Sequence, residues 1–205
     1  MRRWLLALAV ALWSLPALAQ GPTPAPKPGL AVAVFAGGCF WCMEPPFDKL
    51  DGVVATISGY TGGTKANPRY EEVTSGRTGH YEAVRIDYDP AKVSYETLLQ
   101  VFWRNIDPLD AKGQFCDKGP MYRSAIFPVD DAQRAAAEAS KAALEASGKL
   151  PGRIVTEILP TAPFYDAEDY HQDYYKKNSG KYAYYRWSCG RDRRLEQIWG
   201  PQPKS

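Results

Sequence analysis

The sequence predicts an α+β fold in which helices pack on one mixed sheet, in two layers. Two patterns lead to this prediction. Segments typical of strands and segments typical of helices are interleaved along the chain. In addition, Glu82 to Tyr88, EAVRIDY, alternates apolar and polar residues with the period of two that a half-buried strand shows. Because each element must bury its apolar face against another, this order favours helices that cover a sheet.

Local patterns give the order of the elements but leave the strand order open. Predicted strands cover Leu30 to Phe35, Val53 to Tyr60, Glu82 to Tyr88, Arg123 to Phe127 and Arg153 to Leu159. Predicted helices cover Cys39 to Leu50, Ser94 to Phe102, Asp131 to Ser147 and Ala167 to Lys177. Ser94 is a suitable N-cap because its hydroxyl can accept a hydrogen bond from an unpaired amide of the first turn. The alanine-rich third helix is typical of a surface scaffold.

The first 19 residues have the three parts of a secretory signal peptide. Arg2 and Arg3 are the basic part, Trp4 to Pro16 is the apolar part, and Ala17 to Ala19 is the cleavage site. The apolar part is too short for a membrane span, which needs about 20 residues, and the cleavage point has no nearby cysteine to accept a lipid. We therefore expect export to the periplasm or secretion, with no stable membrane anchor.

Cleavage would leave 186 of the 205 residues, which is enough for one domain with a substantial core. We expect a proline-rich linker at 20–29, a single catalytic domain at 30–200 and a short tail at 201–205. Loss of Arg2 and Arg3 from the 25 basic residues would leave 23, equal to the 23 acidic ones. Nucleic-acid binding depends on an excess of positive charge, so we expect no nucleic-acid partner.

Two cysteines lie where the first predicted strand turns into a helix, in GGCFWC. Gly37 and Gly38 permit a sharp turn because glycine accepts backbone angles that other residues resist. Cys39 then lies near a helix N-terminus, where unpaired amides and the helix dipole stabilise the nucleophilic thiolate. We therefore expect a lowered pKa for Cys39. Cys42 follows about one turn later, within the distance that a reversible disulfide requires.

In an oxidising compartment, several interpretations are open for the four cysteines, Cys39, Cys42, Cys116 and Cys189. Two structural disulfides are the simplest, although a bond between Cys39 and Cys42 would close almost no loop and add little stability. A zinc site lacks a second closely spaced pair of ligands. A thioredoxin-like exchanger and a nucleophile with its own pocket both fit the CxxC spacing. An aromatic floor formed by Phe40 and Trp41 favours the nucleophile.

Further motifs accompany this cysteine pair in order: SGYTGG, NPRYEEVTSGRTGHYEAVRIDYDP, FWRNIDP, GQFCDKGPMYRSAIF and AEDYHQDYYKKN. Together with GCFWCMEPPF they resemble the A-type peptide methionine sulfoxide reductases, from about Val32 to Trp199. The resemblance implies a two-layer α+β fold related to ferredoxin-like plaits. It also implies thiol-dependent reduction of the S epimer of methionine sulfoxide, free or in proteins, without a metal or bound cofactor.

The resemblance also implies a role for each matching residue near the cysteine pair. Cys39 matches the nucleophile, and Phe40 and Trp41 match the aromatic pair that holds the substrate methyl group. A sulfoxide sulfur accepts a thiolate only if its oxygen gains a proton, and Glu82 matches the family's carboxyl. Burial beside aromatic residues would raise the pKa of this carboxyl, which would make Glu82 the proton donor.

The other residues that match the family would lie near the sulfoxide oxygen of the substrate. Tyr70 and Tyr122 match tyrosines that donate hydrogen bonds to it, as in sites that stabilise an oxyanion. Asp117 matches an aspartate that we expect to orient its neighbours. We interpret His80 and His171 as structural hydrogen-bonding residues, because the reaction needs a donor at the oxygen more than it needs a base.

Attack on the sulfoxide leaves Cys39 as a sulfenic acid, which a second thiol must convert to a disulfide. We favour Cys42 as this resolving residue, with Cys189, in a tail that we expect to be flexible, as the alternative or as a relay. Cys116 is either a small buried residue, which we favour, or a third participant. Met121 replaces a glutamine that is common in the family.

The resemblance implies that a thioredoxin-like partner regenerates the enzyme. Because the periplasm is kept oxidising, an exported enzyme would need electrons from a membrane-linked thiol relay. We expect the enzyme to be a monomer.

Overall fold

The computed structural model describes residues 22–201, so the predicted signal peptide lies outside the described residues. The strands are Ala31–Gly37 (β1), Val53–Thr61 (β2), Tyr81–Tyr88 (β3), Gly113–Gln114 (β4), Asp117–Lys118 (β5), Ser124–Ile126 (β6), Glu157–Ile158 (β7) and Tyr165–Asp166 (β8). The α-helices are Phe40–Asp48 (α1), Tyr70–Thr74 (α2), Tyr95–Arg104 (α3), Asp131–Ala146 (α4), Tyr174–Lys177 (α5), Ser179–Cys189 (α6) and Arg191–Trp199 (α7). A short 3₁₀ helix covers Pro120–Tyr122.

The main sheet is mixed and has the strand order β7-β6-β1-β3-β2-β8. Only the β6–β7 pair among these neighbours is parallel, and β4 and β5 form a separate two-stranded sheet. The predicted α+β fold with a mixed sheet is thus confirmed. The prediction that β3 is half buried is wrong, because β3 lies between β1 and β2 and all 8 of its residues are buried. Its polar residues are paired instead: Arg85 Nε lies 2.7 Å from Asp87 Oδ1.

The two faces of the sheet are covered differently. Neighbouring residues of a strand point to opposite faces, so Phe35 and Val34 of β1 belong to two separate apolar clusters. On the first face, helices α1, α3 and α4 cover the larger cluster, in which the Phe35 ring stacks 5.6 Å from Phe47 and 4.9 Å from Phe102. The second cluster includes Phe127 and draws its buried residues from strands and connecting segments. The helices therefore form one layer on the sheet, as predicted.

Polar side chains cap helices α3 and α4. The Ser94 hydroxyl accepts a hydrogen bond from the amide of Thr97 at 3.2 Å, which confirms the predicted N-cap of α3. Asp130 caps α4 in the same way by accepting from the amide of Gln133 at 2.7 Å. Such caps typically contribute about 1 kcal/mol.

The C-terminal part departs most from the prediction. The helix expected from Ala167 to Lys177 is limited to the four residues of α5, since Asp173 has left-handed backbone angles with φ 53° that do not continue a helix. Helices α6 and α7 follow, separated by Gly190 with φ 70°. Cys189, expected in a flexible tail, is instead the last residue of α6.

Two other segments also differ from expectation. The strand predicted from Arg153 to Leu159 is reduced to the two residues of β7. The predicted linker packs on the domain at Thr23 and Pro24: the amide of Thr23 donates to the carbonyl of Phe164 at 2.8 Å, and Nη1 of Arg85 donates to the carbonyl of Pro24 at 2.6 Å. Among the helices of residues 22–201, none is both long enough and apolar enough to cross a bilayer.

Candidate active site

The turn between β1 and α1 positions the first cysteine pair. Gly38 has φ 81°, and a β-carbon added there would lie 2.5 Å from Cβ of Gln114, so the turn requires glycine. Cys39 is the N-cap residue of α1, and its carbonyl accepts a hydrogen bond from the amide of Cys42 at 3.0 Å. The two side chains are thereby held on one turn, just after the end of β1.

Both of these cysteines are free and buried, with exposed fractions of 7% for Cys39 and 2% for Cys42. A hydrogen bond from Cys39 lowers the pKa of Cys42 to about 6, and the positive charge of Arg191 acts in the same direction. Burial raises the pKa of Cys39 well above its ordinary value, and the bond to Cys42 adds to this increase. The expected lowering of the pKa of Cys39 is therefore wrong, because burial outweighs the helix N-terminus. Of the two thiols, Cys42 therefore ionises more readily than Cys39.

Glu82 lies on β3, opposite Tyr60 of β2, and is only 1% exposed. Its Oε2 accepts a hydrogen bond from the amide of Phe40 at 3.2 Å, so the carboxyl lies against the residue that follows Cys39. Burial raises the pKa of Glu82 to about 8. The side chain is therefore mainly protonated at neutral pH and available as a proton donor.

Two tyrosines adjoin this carboxyl. Tyr122, from the short 3₁₀ helix, hydrogen-bonds with Glu82 and with Tyr70, the first residue of α2. Burial raises the pKa of Tyr70 to about 12 and also raises the pKa of Tyr122. Both hydroxyls therefore keep their protons and can donate hydrogen bonds.

Asp117 contacts the site through a tyrosine of α6. Its Oδ2 accepts a hydrogen bond from the Tyr185 hydroxyl at 2.5 Å, and Tyr185 also hydrogen-bonds with Cys39. The Tyr185 ring packs edge-on against Trp41 at 5.9 Å. Burial raises the pKa of Asp117. These contacts fit the orienting role that we expected for Asp117.

The two aromatic residues after Cys39 lie in different environments. Phe40 is fully buried and contacts the rings of Tyr60 and His171, with centroids 6.0 Å and 4.9 Å away. Trp41 is half buried, stacks on Tyr174 at 3.7 Å, and donates from Nε1 to Nδ1 of His171 at 3.0 Å. Burial lowers the pKa of His171 to about 4, so this imidazole stays neutral and can accept that bond. His171 thus positions the indole, as its predicted structural role requires.

His80 and Met121 have supporting roles in the fold. Nδ1 of His80 accepts a hydrogen bond from the amide of Gly63 at 3.2 Å, and its Nε2 lies 2.7 Å from the carbonyl oxygen of Lys65. Its structural role is thus confirmed. Met121 is buried in the larger apolar cluster, next to Tyr122 in the chain.

The other two cysteines form a disulfide that joins the β4–β5 turn to the end of α6. Cys116 is exposed, so the favoured interpretation of it as a small buried residue is wrong. The turn directs it outward, since the preceding Phe115 has φ 54°. Cys189 is bonded and is not a free thiol that could attack Cys39 in this state. The zinc alternative needs four thiolates, and two of them are bonded to each other in this disulfide. The two bonded Sγ atoms and an oxygen of Asp117 nevertheless lie within 4.8 Å of one another.

The sequence analysis did not identify the residues of α6 that close the site. Tyr182 hydrogen-bonds with Cys42 and Tyr185 with Cys39. Their only signal in the sequence is a high local density of tyrosine, which also fits an ordinary surface helix.

Comparison with known proteins identifies the family. Residues 31–203 match the family model described as peptide methionine sulfoxide reductase. The chain belongs to this family, in its A-type branch. It is therefore a peptide-methionine (S)-S-oxide reductase, an enzyme that reduces methionine sulfoxide.

Individual reductases resemble the chain over most of its length. Peptide methionine sulfoxide reductase MsrA 2 of Caulobacter vibrioides is 53% identical over 201 residues, which cover 98% of this chain and 100% of the relative. Among solved structures, methionine sulfoxide reductase A of Corynebacterium diphtheriae has a TM-score of 0.67 at 35% identity and covers 80% of this chain and 88% of the other. Mxr1 of Saccharomyces cerevisiae in reduced form has a TM-score of 0.69 at 30% identity, with 76% and 90% covered.

Proposed function

We propose that Cys39 attacks the sulfur of methionine S-sulfoxide while Glu82 protonates its oxygen. The hydrogen bond from the amide of Phe40 to Glu82 is the observation that supports this assignment most directly. It holds a carboxyl against the first turn of α1, and burial keeps that carboxyl protonated because its pKa is about 8. The oxygen is transferred to Cys39, which becomes a sulfenic acid, and methionine is released.

Cys39 must lose its proton before it can attack. Cys42 is the proposed acceptor, because the two side chains are hydrogen-bonded and the pKa of Cys42 is about 6. Transfer of the proton along this bond produces the Cys39 thiolate and leaves Cys42 as a thiol. The negative charge thus passes from Cys42 to Cys39 along one hydrogen bond, and no additional charge forms in the buried site.

The surrounding aromatic residues hold the substrate in this proposal. The hydroxyls of Tyr70 and Tyr122 donate hydrogen bonds to the sulfoxide oxygen, where negative charge develops during attack. Phe40 and Trp41 hold the methyl group. Asp117 orients the site through Tyr185.

We propose that Cys42 resolves the sulfenic acid. Its sulfur attacks that of Cys39, the Cys39–Cys42 disulfide forms, and the oxygen leaves as water. The hydrogen bond between the two side chains supports this choice over Cys189, which is bonded to Cys116.

We also propose that the enzyme is a monomer that is exported and repairs oxidised proteins outside the cytoplasm. The signal-like residues 1–19 support the location. A thioredoxin-class dithiol, supplied with electrons by a membrane-linked relay, is the proposed reductant. Mxr1 of Saccharomyces cerevisiae has been crystallised in complex with Trx2, which supports a partner of this class.

Separated sulfoxide epimers test the proposed reaction. The enzyme with dithiothreitol should release methionine from the S epimer and far less from the R epimer. Release from neither epimer, or chiefly from the R epimer, would refute it.

Amino-terminal sequencing tests the proposed export. The sequence of protein exported by the expressing cells should begin at Gln20, and an intact Met1 there would contradict cleavage.

A further inference from the structure

We propose that a cavity at the β6–β7 edge of the sheet binds a phosphate group, either as inorganic phosphate or as part of a small phosphate ester. None of the residues that line this cavity belongs to the proposed catalytic machinery. The inference therefore goes beyond the proposed function and does not depend on it.

The cavity has the size of a small-molecule site. Its volume is about 360 Å³, within the range of roughly 300–1,000 Å³ that is usual for such sites. β6 contributes Ser124, α4 contributes Lys141, and the chain from Arg153 to Glu157, which leads into β7, supplies half of the lining. A ligand there would contact several separate segments of the chain.

Positive charge is in excess around this cavity. Three cationic side chains line it, Arg123, Lys141 and Arg153, together with two carboxylates, Asp110 and Glu157. Asp110 is paired with the lysine of β5, and Glu157 is paired with Arg123 at 3.3 Å. Lys141 and Arg153 form no ion pair with any residue in the part of the chain that the structure describes. Two cations therefore line the cavity without a carboxylate partner.

This excess is a local feature of the molecule. Without the predicted signal peptide, the chain has equal numbers of basic and acidic residues. General attraction of anions to a basic protein is therefore not expected, and the two unpaired cations mark one place on the surface.

Two buried hydroxyls add a neutral donor. Ser124 and Thr156 are 3% and 0% exposed, and their hydroxyl oxygens are hydrogen-bonded to each other at 2.9 Å. Each hydroxyl has one hydrogen, and the bond between them uses only one of the two. The second hydrogen is available to an acceptor in the cavity. A ligand oxygen at this place would satisfy a donor that is otherwise costly to bury.

The cations define the chemistry of the ligand. Nζ of Lys141 donates to the carbonyl of Thr156 at 2.7 Å, which holds the ammonium group at the wall and leaves it two further hydrogens. The exposed Arg153 has a planar guanidinium, which can donate to two oxygens of a phosphate group at once. Neither side chain accepts hydrogen bonds, so the ligand must supply the acceptor oxygens. Two unpaired cations favour a dianion, and a phosphate group fits them better than a carboxylate.

Arg123 has partners already and does not need the ligand. One of its Nη atoms donates to the Tyr81 hydroxyl at 2.6 Å, and the other lies 3.3 Å from Glu157. This ion pair shields a bound anion from the Glu157 carboxylate. Arg153 is therefore the residue whose removal should affect binding most cleanly.

Amide chemical shifts measured by two-dimensional NMR test the site. Inorganic phosphate is titrated into the ¹⁵N-labelled enzyme at about pH 8, where it is mainly a dianion, and sodium chloride keeps the ionic strength constant. The amide signals of Ser124 and Thr156 should shift and saturate with one dissociation constant. Without a saturable shift at these amides, or with shifts confined to other residues, the proposal is overturned.

Arg153→Ser should raise this dissociation constant at least about 10-fold, because it removes one of the two unpaired cations. Arg77→Ser is the matched control, since Arg77 is exposed, lies outside the cavity lining and forms no ion pair. Its dissociation constant should equal that of the unmodified enzyme. The dispersion of the amide spectrum shows that each variant is folded. Equal weakening by the two variants, or no weakening by Arg153→Ser, would overturn the proposal.

Two further probes define the ligand class. Acetate, a monoanion, should bind at least about 10-fold more weakly than phosphate, and equal binding would overturn the assignment to a phosphate group. Glycerol 3-phosphate distinguishes the two sources: tighter binding than inorganic phosphate supports an ester as the ligand, and weaker binding supports free phosphate. These titrations follow no methionine, so a failure of the proposed function would leave their results unchanged.

Discussion

The two cysteine pairs of this reductase have opposite environments. Cys39 and Cys42 lie on one turn of α1 and are buried and free. Cys116 and Cys189 are 73 residues apart in the sequence and are joined at the surface. A bond within the first pair would close almost no loop, whereas the second restricts a long segment of the unfolded chain. We therefore expect chemistry to depend chiefly on the buried pair and stability chiefly on the surface pair.

Replacing the buried nucleophile should have the largest effect. We expect Cys39→Ser to lower turnover by about 10⁴-fold or more, because a serine hydroxyl without a strong base does not form the required nucleophile. Methionine release from the S epimer with dithiothreitol measures this loss.

Cys42→Ser is the matched comparison for Cys39→Ser. This variant should release one methionine per chain, more slowly than the unmodified enzyme, and leave a sulfenic acid at Cys39 that dimedone can trap. Normal turnover by Cys39→Ser would contradict the assignment of the nucleophile.

Glu82→Gln should lower kcat by about 10²- to 10⁴-fold, since it removes the proposed proton donor. In the unmodified enzyme, kcat/KM should rise as Cys42 deprotonates near pH 6 and fall as Glu82 deprotonates near pH 8. The fall near pH 8 should be absent in Glu82→Gln, and a profile with the same alkaline fall would contradict the assignment. Glu138→Gln, at an exposed position of α4, is the matched control and should leave kcat unchanged.

Removing both tyrosine hydroxyls should have a smaller effect on the same step. We expect the double variant Tyr70→Phe, Tyr122→Phe to lower kcat by about 10²- to 10³-fold, the loss seen when an oxyanion donor is removed. The exposed Tyr184 supplies the control, since Tyr184→Phe should have the activity of the unmodified enzyme. Equal activity of the double variant and this control would exclude both hydroxyls from catalysis.

The two cysteine pairs also differ in how far their structure is predictable from the sequence. The turn that presents Cys39 depends on adjacent residues, Gly37 and Gly38, and was predicted correctly. The bond between Cys116 and Cys189 depends on a contact between distant segments, so spacing along the chain gave no signal for it. The left-handed residue Asp173, which delays the start of α5 to Tyr174, was also not recognisable as a helix break.

Burial explains the errors in the expected exposure of β3 and in the expected pKa of Cys39. The alternation in β3 predicted one solvated face, but the strand is central, and the larger apolar cluster covers the face that carries Glu82. The pKa expected for Cys39 took account of the helix N-terminus but not of desolvation, which is the larger effect. The family resemblance, not the residue pattern, identified Glu82 as a candidate acid.

The surface pair can be tested through stability. We expect the C116S/C189S variant to lose about 2–4 kcal/mol of unfolding free energy, because it releases the loop that the disulfide closes. Urea unfolding without reductant measures the difference. An unchanged midpoint would show that the surface bond does not stabilise the fold.

Glu44 lies on α1, the helix that carries Cys42, and has no proposed catalytic role. Its buried carboxyl should make the free energy of unfolding depend on pH. Its Oε1 accepts a hydrogen bond from the Ser58 hydroxyl at 2.9 Å, and burial raises its pKa from 4.5 to about 7. The folded state therefore holds this proton more tightly than the unfolded state. The stability that results is fully present below about pH 4.5 and is lost as the pH rises through 7.

Glu44→Gln does not ionise, so between pH 5 and 8 it should lose less unfolding free energy than the unmodified enzyme, by about 1–3 kcal/mol. Parallel slopes of unfolding free energy against pH would show that Glu44 is not held protonated.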